Sequence, residues 1–258
     1  ICISKEFKKS ITFEIDENKV TSIELFRAIP STLLDNKTFS MFADTPKYRR
    51  KIFDRCLIAS DKNYNKEFFS FHRSLKQRNA ALKFKRLTNI DMWSQILINA
   101  GTSISKKREI FFKETKKTFF GFTKNFGDAR VVEIINSLEI IFNKGWSNDH
   151  SLKEALINSR DIDQRKTTTT LGPHKADIKF LINNSDIKYI LSRGEQKFMA
   201  ILWCLSMHKT LSEFYGVKPF LIIDDIHSEL DESFYDELIN FLPKTGNQLF
   251  FSDINNPF

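Results

Sequence analysis

Two adjacent aspartates, Asp224 and Asp225, follow directly on the apolar run Phe220-Leu221-Ile222-Ile223, which Pro219 precedes. A run of this kind suits a buried parallel strand, and acids at its C-terminal end sit where open α/β sheets bind ligands. The chemistry this permits is phosphoryl transfer. Asp224 would hold a Mg²⁺-bound water, and Asp225 would be the catalytic residue that orients or deprotonates the water attacking a γ-phosphate. The plainer alternative is a strand whose last acid only caps the next helix.

Upstream, Leu191-Ser192-Arg193-Gly194-Glu195-Gln196-Lys197 leads into an apolar-periodic stretch through Phe198, Ile201, Leu202 and Leu205. Ser192 and Glu195 have the spacing of a capping box, which accounts for both. It does not account for Gly194, since glycine weakens the first turn of a helix unless something must approach the backbone closely. A phosphate at the positive helix end would be such a group. The third piece, Ser228-Glu229-Leu230-Asp231, follows closely on the paired acids.

The elements that must position these groups are legible in outline. Ser10 to Ile15 and Lys19 to Ile23 suggest a strand pair around Asp16-Glu17-Asn18, followed by a short helical stretch at Ile23 to Ala28 that Pro30 ends, and a strand at Thr32 to Leu34. Thr45 and Pro46 have the types of an N-cap and first helical residue. Helical spacing continues through Tyr48, Ile52, Phe53 and Cys56, then through Phe68 to Leu82, then through Trp93 to Phe111. Gly121 to Gly127 is the best linker candidate. Beyond it, Val131 to Phe142 fits either a helix or a strand, Ser151 to Asn158 suggests a helix, and Thr167 to Leu171 with Ile178 to Ile182 suggest strands around Gly172-Pro173.

Charge divides the chain more sharply than hydropathy does. The 258 residues carry a net charge of +8. Residues 46–125 hold 20 Lys or Arg against 6 Asp or Glu, so the remainder is net acidic. An excess of this size repels itself unless a polyanion compensates it, which points to phosphate contact by Arg49, Arg50, Lys76 and Arg78. No base-reading motif accompanies them, so such binding would follow backbone and shape. Three segments result: a strand-rich N-terminal part (1–45), a basic helical lobe suited to phosphate contact (46–125) and a C-terminal part carrying the acids (126–258).

Other classes are set aside on composition and spacing. With 41% hydrophobic and 28% charged residues the chain is not disordered at long range, and no stretch of about 18 uncharged apolar residues could span a membrane. Lys5, Glu6, Lys8 and Lys9 leave no apolar secretory leader ahead of the fold. Three widely spaced cysteines (Cys2, Cys56, Cys204) point to a reduced, cytoplasmic protein without a disulfide frame or zinc site. The five histidines lack metal spacing, and Ser192 has no neighbouring histidine to activate it.

Taken in order, LSRGEQK, FLIIDD and SELD resemble the signature motif, Walker B strand and D-loop of an ABC-type ATPase head. GPHKAD at Gly172 to Asp177, PKYRR at Pro46 to Arg50, LKQRNAAL at Leu75 to Leu82, the Trp93, Leu97, Gly101 spacing and Lys144-Gly145-Trp146 are similar to the RecF family of bacterial recombinational-repair proteins. That resemblance spans about Ile29 to Ser252. It implies an α/β, SMC-like head with an inserted helical lobe, and a protein that dimerises around ATP and Mg²⁺ on double-stranded DNA near junctions with single-strand gaps. It further implies work with RecR and RecO-like proteins to load recombinase. By the same resemblance Ser192, Arg193, Gly194 and Glu195 would bind nucleotide in trans, Asp224 and Asp225 would act in cis, and Ser228 and Asp231 would line the dimer interface. No G-x-x-x-x-G-K-[ST] occurs in the 258 residues, so the expectation is a fragment of a longer protein. The alternative is a DNA-binding or scaffold module without ATP turnover. Asp35-Asn36-Lys37 stands where the family has Ser/Thr-Pro-acid, and an Asp as second acid predicts slow hydrolysis.

Overall fold

The structure, a computed structural model, describes residues 2–4, 11–39, 41–43, 45–85, 87–124, 126–224, 226, 230–242 and 248–252. It opens with an antiparallel sheet of β1 (Cys2–Ser4), β2 (Thr12–Ile15) and β3 (Asn18–Val20). The β2–β3 connection is two residues, Asp16 and Glu17, both at positive φ (49° and 64°). Such a turn matches strand twist, so the expected strand pair is present but shorter than its apolar pattern. Thr21 then caps α1 (Ser22–Ala28) through a capping box with Glu24.

The element that positions the paired acids is a three-stranded parallel sheet. β4 (Ser31–Leu34) and β9 (Leu249–Ser252) flank a central β8 (Phe220–Asp224), in the register Leu34 opposite Ile223 and Asp224 opposite Ser252. Leu34, Leu221 and Ile223 are fully buried. They belong to the same buried apolar cluster as α9 (Arg193–Glu213), in which every residue from Phe198 to His208 is buried. A helix buried on all sides over this stretch belongs inside a core, and α9 lies there.

Between these parts run α2 (Asn36–Phe39), α3 (Pro46–Ser60), α4 (Lys62–Lys83) and α5 (Leu87–Thr123). The last has 37 residues, about 55 Å at 1.5 Å per residue. It runs through Gly121, so the expected linker does not start there. Apart from a small cluster of Ala81, Leu82 and Ile90, the basic segment's buried apolar residues share their core with the rest of the chain. Phe112 and Phe119 of α5 and Phe180 each meet Trp203 of α9, with ring centroids 5.0–6.2 Å apart. The abundant phenylalanines thereby join the helices and the α/β part into one apolar cluster.

The ambiguous stretch after Gly127 contains both elements: α6 (Ala129–Ser137), capped by Asp128, passes directly into β5 (Leu138–Asn143). α7 (Leu152–Asn158) follows, started by a Ser151–Glu154 capping box, and then α8 (Arg160–Lys166), which periodicity had not revealed. β6 (Asp177–Ile182) pairs antiparallel with β5 and with β7 (Ser185–Asp186). The strand expected at Thr167 to Leu171 is absent. Thr167 adopts a left-handed conformation that ends α8, and the amides and hydroxyls of Thr169 and Thr170 bond the side chains of Asn79 and Asp163 instead of a ladder. α10 (Glu232–Phe241) completes the helices. Among the described residues no helix is long and apolar enough to cross a membrane.

Two histidines sit in this core uncharged. Burial lowers His208 to about 4, and its Nδ1 lies 3.0 Å from Thr32 Oγ1. Burial likewise lowers His174 to about 4, against the opposing pull of its bond to the Thr169 carbonyl. That carbonyl can only accept, so Nε2 carries the proton, and Nδ1 is buried without a partner among the described residues. In the unfolded chain both rings bind a proton near 6.5, in the fold only near 4, so stability falls as pH drops between these values. Thermal melts from pH 7 to pH 4.5 are expected to show a progressive loss of Tm, shallower in His208→Gln; a flat Tm over that window would contradict the buried neutral state.

Candidate functional site

Parallel register gathers the carboxyl ends of three strands at one edge. Asp224 ends β8 with its side chain exposed, Ser252 ends β9 opposite it, and Asp35 follows Leu34 on β4. Asp35 is engaged locally: its Oδ1 accepts from the Thr38 amide at 2.9 Å, with the Thr38 hydroxyl 3.0 Å away. Asp224 has no such partner among the described residues. Asp225 and Ser228 lie outside the described residues.

The start of α9 is built as its sequence implies, with one substitution of roles. The Ser192 hydroxyl accepts from the Glu195 amide at 3.3 Å, and the Ser192 amide donates to Glu195 Oε2 at 2.7 Å. Glu195 also takes Arg130 Nε of α6 at 2.6 Å. Burial raises the Glu195 carboxyl pKa, but the bonds from Arg130 and Ser192 and the charge of Arg130 outweigh it and hold the group below its usual value. Glu195 is therefore a positioning residue for this helix start, not a free nucleotide ligand. Ser192 and Arg193 remain exposed. At Gly194 the close approach expected from a phosphate is made by the chain itself. A Cβ there would stand 3.0 Å from Asp231 Oδ2. Asp231 thus places an anion against the positive end of α9 within the same chain.

Arg130 is the functional neighbour that sequence reasoning missed. Its link to Glu195 spans 65 residues, and no local spacing announces it. A second tie comes from Glu237 of α10, whose Oε1 accepts the amides of Gly127 and Asp128, each at 3.2 Å. Together they hold the starts of α6 and α9 to α10.

The arginines expected on DNA are mostly turned inward. Arg49 forks both Asp177 oxygens at 2.9 and 3.0 Å and bonds the Met41 carbonyl. Arg50 donates to the Ala176 carbonyl. Arg78 is only 1% exposed, donating to Asp163 at 2.8 Å, Thr169 at 2.6 Å and Ser94 at 2.9 Å, so it cannot reach a phosphate. Arg108 is similarly buried, clamped by both oxygens of Asp54 and the Pro173 carbonyl. PKYRR and GPHKAD, separated by more than 120 residues, therefore bind each other. Gly145 (φ 98°) presses on the same segment: a Cβ there would lie 2.2 Å from the Gly172 carbonyl oxygen. Of the four proposed DNA contacts, Lys76 alone is exposed and without an ion pair among the described residues.

Arg78→Ala is expected to destabilise the protein by about 3–5 kcal/mol, because it strands the buried Asp163 carboxylate, whereas Lys76→Ala should stay within about 0.5 kcal/mol. Urea titration of the two variants checks this; equal midpoints would remove Arg78 from the interior. Gly194→Ala should leave the midpoint unchanged or slightly raised, since alanine favours the helix and the exposed Asp231 side chain can yield a few tenths of an ångström.

No model of a known protein family matches the chain. It is 31% identical over 236 residues to the DNA replication and repair protein RecF of Pseudoalteromonas translucida (strain TAC 125), a match covering 90% of this chain and 63% of the relative. It is 29% identical over 252 residues to RecF of Geotalea uraniireducens (strain Rf4), covering 96% and 68%. A solved structure of the recombination mediator protein RecF-ATP of the RecFOR pathway superposes with a TM-score of 0.79 at 26% identity, over 96% of this chain and 68% of that one. The chain spans between 63% and 68% of the length of these relatives. With the parallel sheet and the interlocked motifs carried in one α/β, ABC-type ATPase-like fold, the chain is similar to the RecF proteins of DNA replication and repair over 90% or more of its length.

Proposed function

We propose that this chain is the signature, Walker B and D-loop part of a RecF-like ATP-dependent DNA-binding protein of recombinational repair. It dimerises around ATP on double-stranded DNA near single-strand gaps and works with RecR and RecO-like proteins to load recombinase. The observation that carries the reading is the exposed Asp224 at the carboxyl end of a buried parallel strand, together with the exposed Ser192 and Arg193 beside the half-buried Gly194, which adjoins Asp231.

The donor set fits one edge of a magnesium–nucleotide site. Among the described residues no three His, Cys, Asp or Glu side chains gather to hold a metal. A Mg²⁺ here would rest on Asp224 and otherwise on phosphate oxygens and water, the coordination this ion accepts. When bound, it neutralises charge developing on the phosphates. Asp224 would hold the ion through water, Asp225 would hold the attacking water, and the Ser192 hydroxyl with the Gly194 amide would face the γ-phosphate of the opposing subunit's nucleotide. Asp231 competes with that phosphate for the same helix end and must turn outward for it to enter. Since the sequence holds no phosphate-binding glycine loop, the cis half of the site belongs to other residues of the full-length protein. The same feature favours the second reading, a DNA-binding scaffold without turnover.

In the full-length protein Ser192→Arg is expected to retain ATP but lose the ATP-dependent dimer in light scattering; a normal dimer would overturn the trans role. Asp225→Asn should keep nucleotide and stop phosphate release. Unchanged release in that variant would favour the scaffold reading.

A further inference from the structure

Arg130 reaches the start of α9 from the first turn of α6, and only part of its guanidinium is committed there. Nε donates to Glu195 Oε1 at 2.6 Å and Nη1 to Glu133 Oε2 at 2.8 Å. Nη2 has no hydrogen bond among the described residues. Arg49 and Arg108 differ, since each uses Nε and Nη2 together to fork both oxygens of one carboxylate. Glu195 cannot complete that fork, because its Oε2 already accepts the Ser192 amide at 2.7 Å. Nε and Nη2 offer parallel N–H groups along one edge of the planar guanidinium. With Nε aimed at Glu195, the open donor points the same way, toward the helix start where Ser192 and Arg193 are exposed.

The Arg130 side chain is 46% exposed, so a ligand can reach this donor. Two carboxylates fix its plane, so meeting a ligand costs little further ordering. The charges of the neighbourhood narrow what that ligand is. Glu195 and Asp231 bring two carboxylates to the start of α9. A phosphate entering there is repelled by both unless cations offset them, and Arg130 and Arg193 are those cations among the described residues. The Ser192 hydroxyl accepts from the Glu195 amide, which leaves its own proton free to donate. Donors from Ser192 and from Nη2 thus converge on one place, which suits an anion with several oxygens.

We propose that Arg130 is a phosphate ligand acting in trans, with Nη2 donating to the γ-phosphate of the nucleotide bound by the opposing subunit. Water bonds to the γ-phosphorus, the bond to the β–γ bridging oxygen breaks, and ADP and phosphate leave. Arg130 offsets the charge on the γ-oxygens during this step and keeps its own proton. The inference rests on the trans reading of the signature turn in the proposed function, and adds the cation that completes it.

The test uses the full-length protein. Arg130→Ala is expected to keep ATP and a near-native urea midpoint, to weaken the ATP-dependent dimer about tenfold in light scattering, and to slow phosphate release about 100-fold. Arg130→Lys, which keeps the charge against both glutamates, guards against loss of fold and should still slow release about tenfold; native release in that variant overturns the proposal. Glu195→Gln preserves the capping box and leaves Arg130 its Glu133 partner, so it should cost several-fold less than Arg130→Ala. Equal losses in the two would mean that Arg130 acts only through Glu195, which also overturns it. Mixing Arg130→Ala with Asp225→Asn subunits separates trans from cis, because each mixed dimer holds one site with native Asp225 and native Arg130. Equal amounts should recover release to about a quarter of native, half the dimers being mixed with one of two sites intact; no recovery overturns the trans contact. If Ser192→Arg keeps the dimer, the underlying trans reading fails. If Ser192→Arg loses the dimer while Arg130→Ala behaves as native, Arg130 alone is removed from the site.

Discussion

The Arg108 guanidinium, buried between the Asp54 carboxylate and the Pro173 carbonyl, is the contact on which the architecture turns. It joins α3, α5 and the turn ahead of β6 at one point, and the Tyr64 hydroxyl closes the cluster by donating to Asp54. A charge with this little exposure is tolerable only when every donor finds a partner, because removing an ion from water costs several kcal/mol. Arg49 and Arg50 extend the same arrangement to Asp177 and Ala176. Arg78 repeats it at the Asp163–Thr169 corner. Four cations of the basic segment thus act as rivets that tie the helices to one another and to the segment ahead of and at the start of β6, and the planar, multidonor fork of arginine suits them to that role.

This use of arginine divides the segment's charge into two populations. The riveting arginines fix how α3, α4 and α5 lie on the α/β part, while the lysines, whose long stems reach solvent, supply the outward field. Lysine dominates the exposed face of α4, and arginine dominates the interior. The same division explains why the helices share a core with α9: the rivets and the Phe112, Phe119 and Trp203 contacts act across one boundary. Motion of the helical part relative to the sheet would break both sets at once.

At the other end of α9, the capping box and the Arg130 bond make Glu195 a fixed part of the helix start, leaving Ser192, Arg193 and the Gly194 backbone as the accessible surface. Asp231 stands against the Gly194 part of that surface within the chain. In the proposed site a phosphate arriving at this helix end would meet the Asp231 carboxylate already standing against Gly194.

Much was determined locally and so was legible in the residues alone. The capping boxes at Ser151 and Ser192, the proline at the first position of α3 and the β8 run with its terminal acid depend on neighbours within a few positions. Motif order likewise carried the family resemblance. What residue type could not decide was which way a side chain faces and what lies across from it. Arg78 and Lys76, two positions apart, look alike as cations, yet helix geometry turns one into the core and the other to water. Thr167 to Leu171 has strand-forming residues, but Asn79 and Asp163, brought in from elsewhere in the chain, take its hydrogen bonds. Gly194 signalled a close approach correctly, and only the tertiary structure named Asp231 as the group that makes it. Caps and strand runs are short-range and written in sequence; burial, pairing of distant charges and the occupant of a close contact arise from packing between segments far apart in the chain.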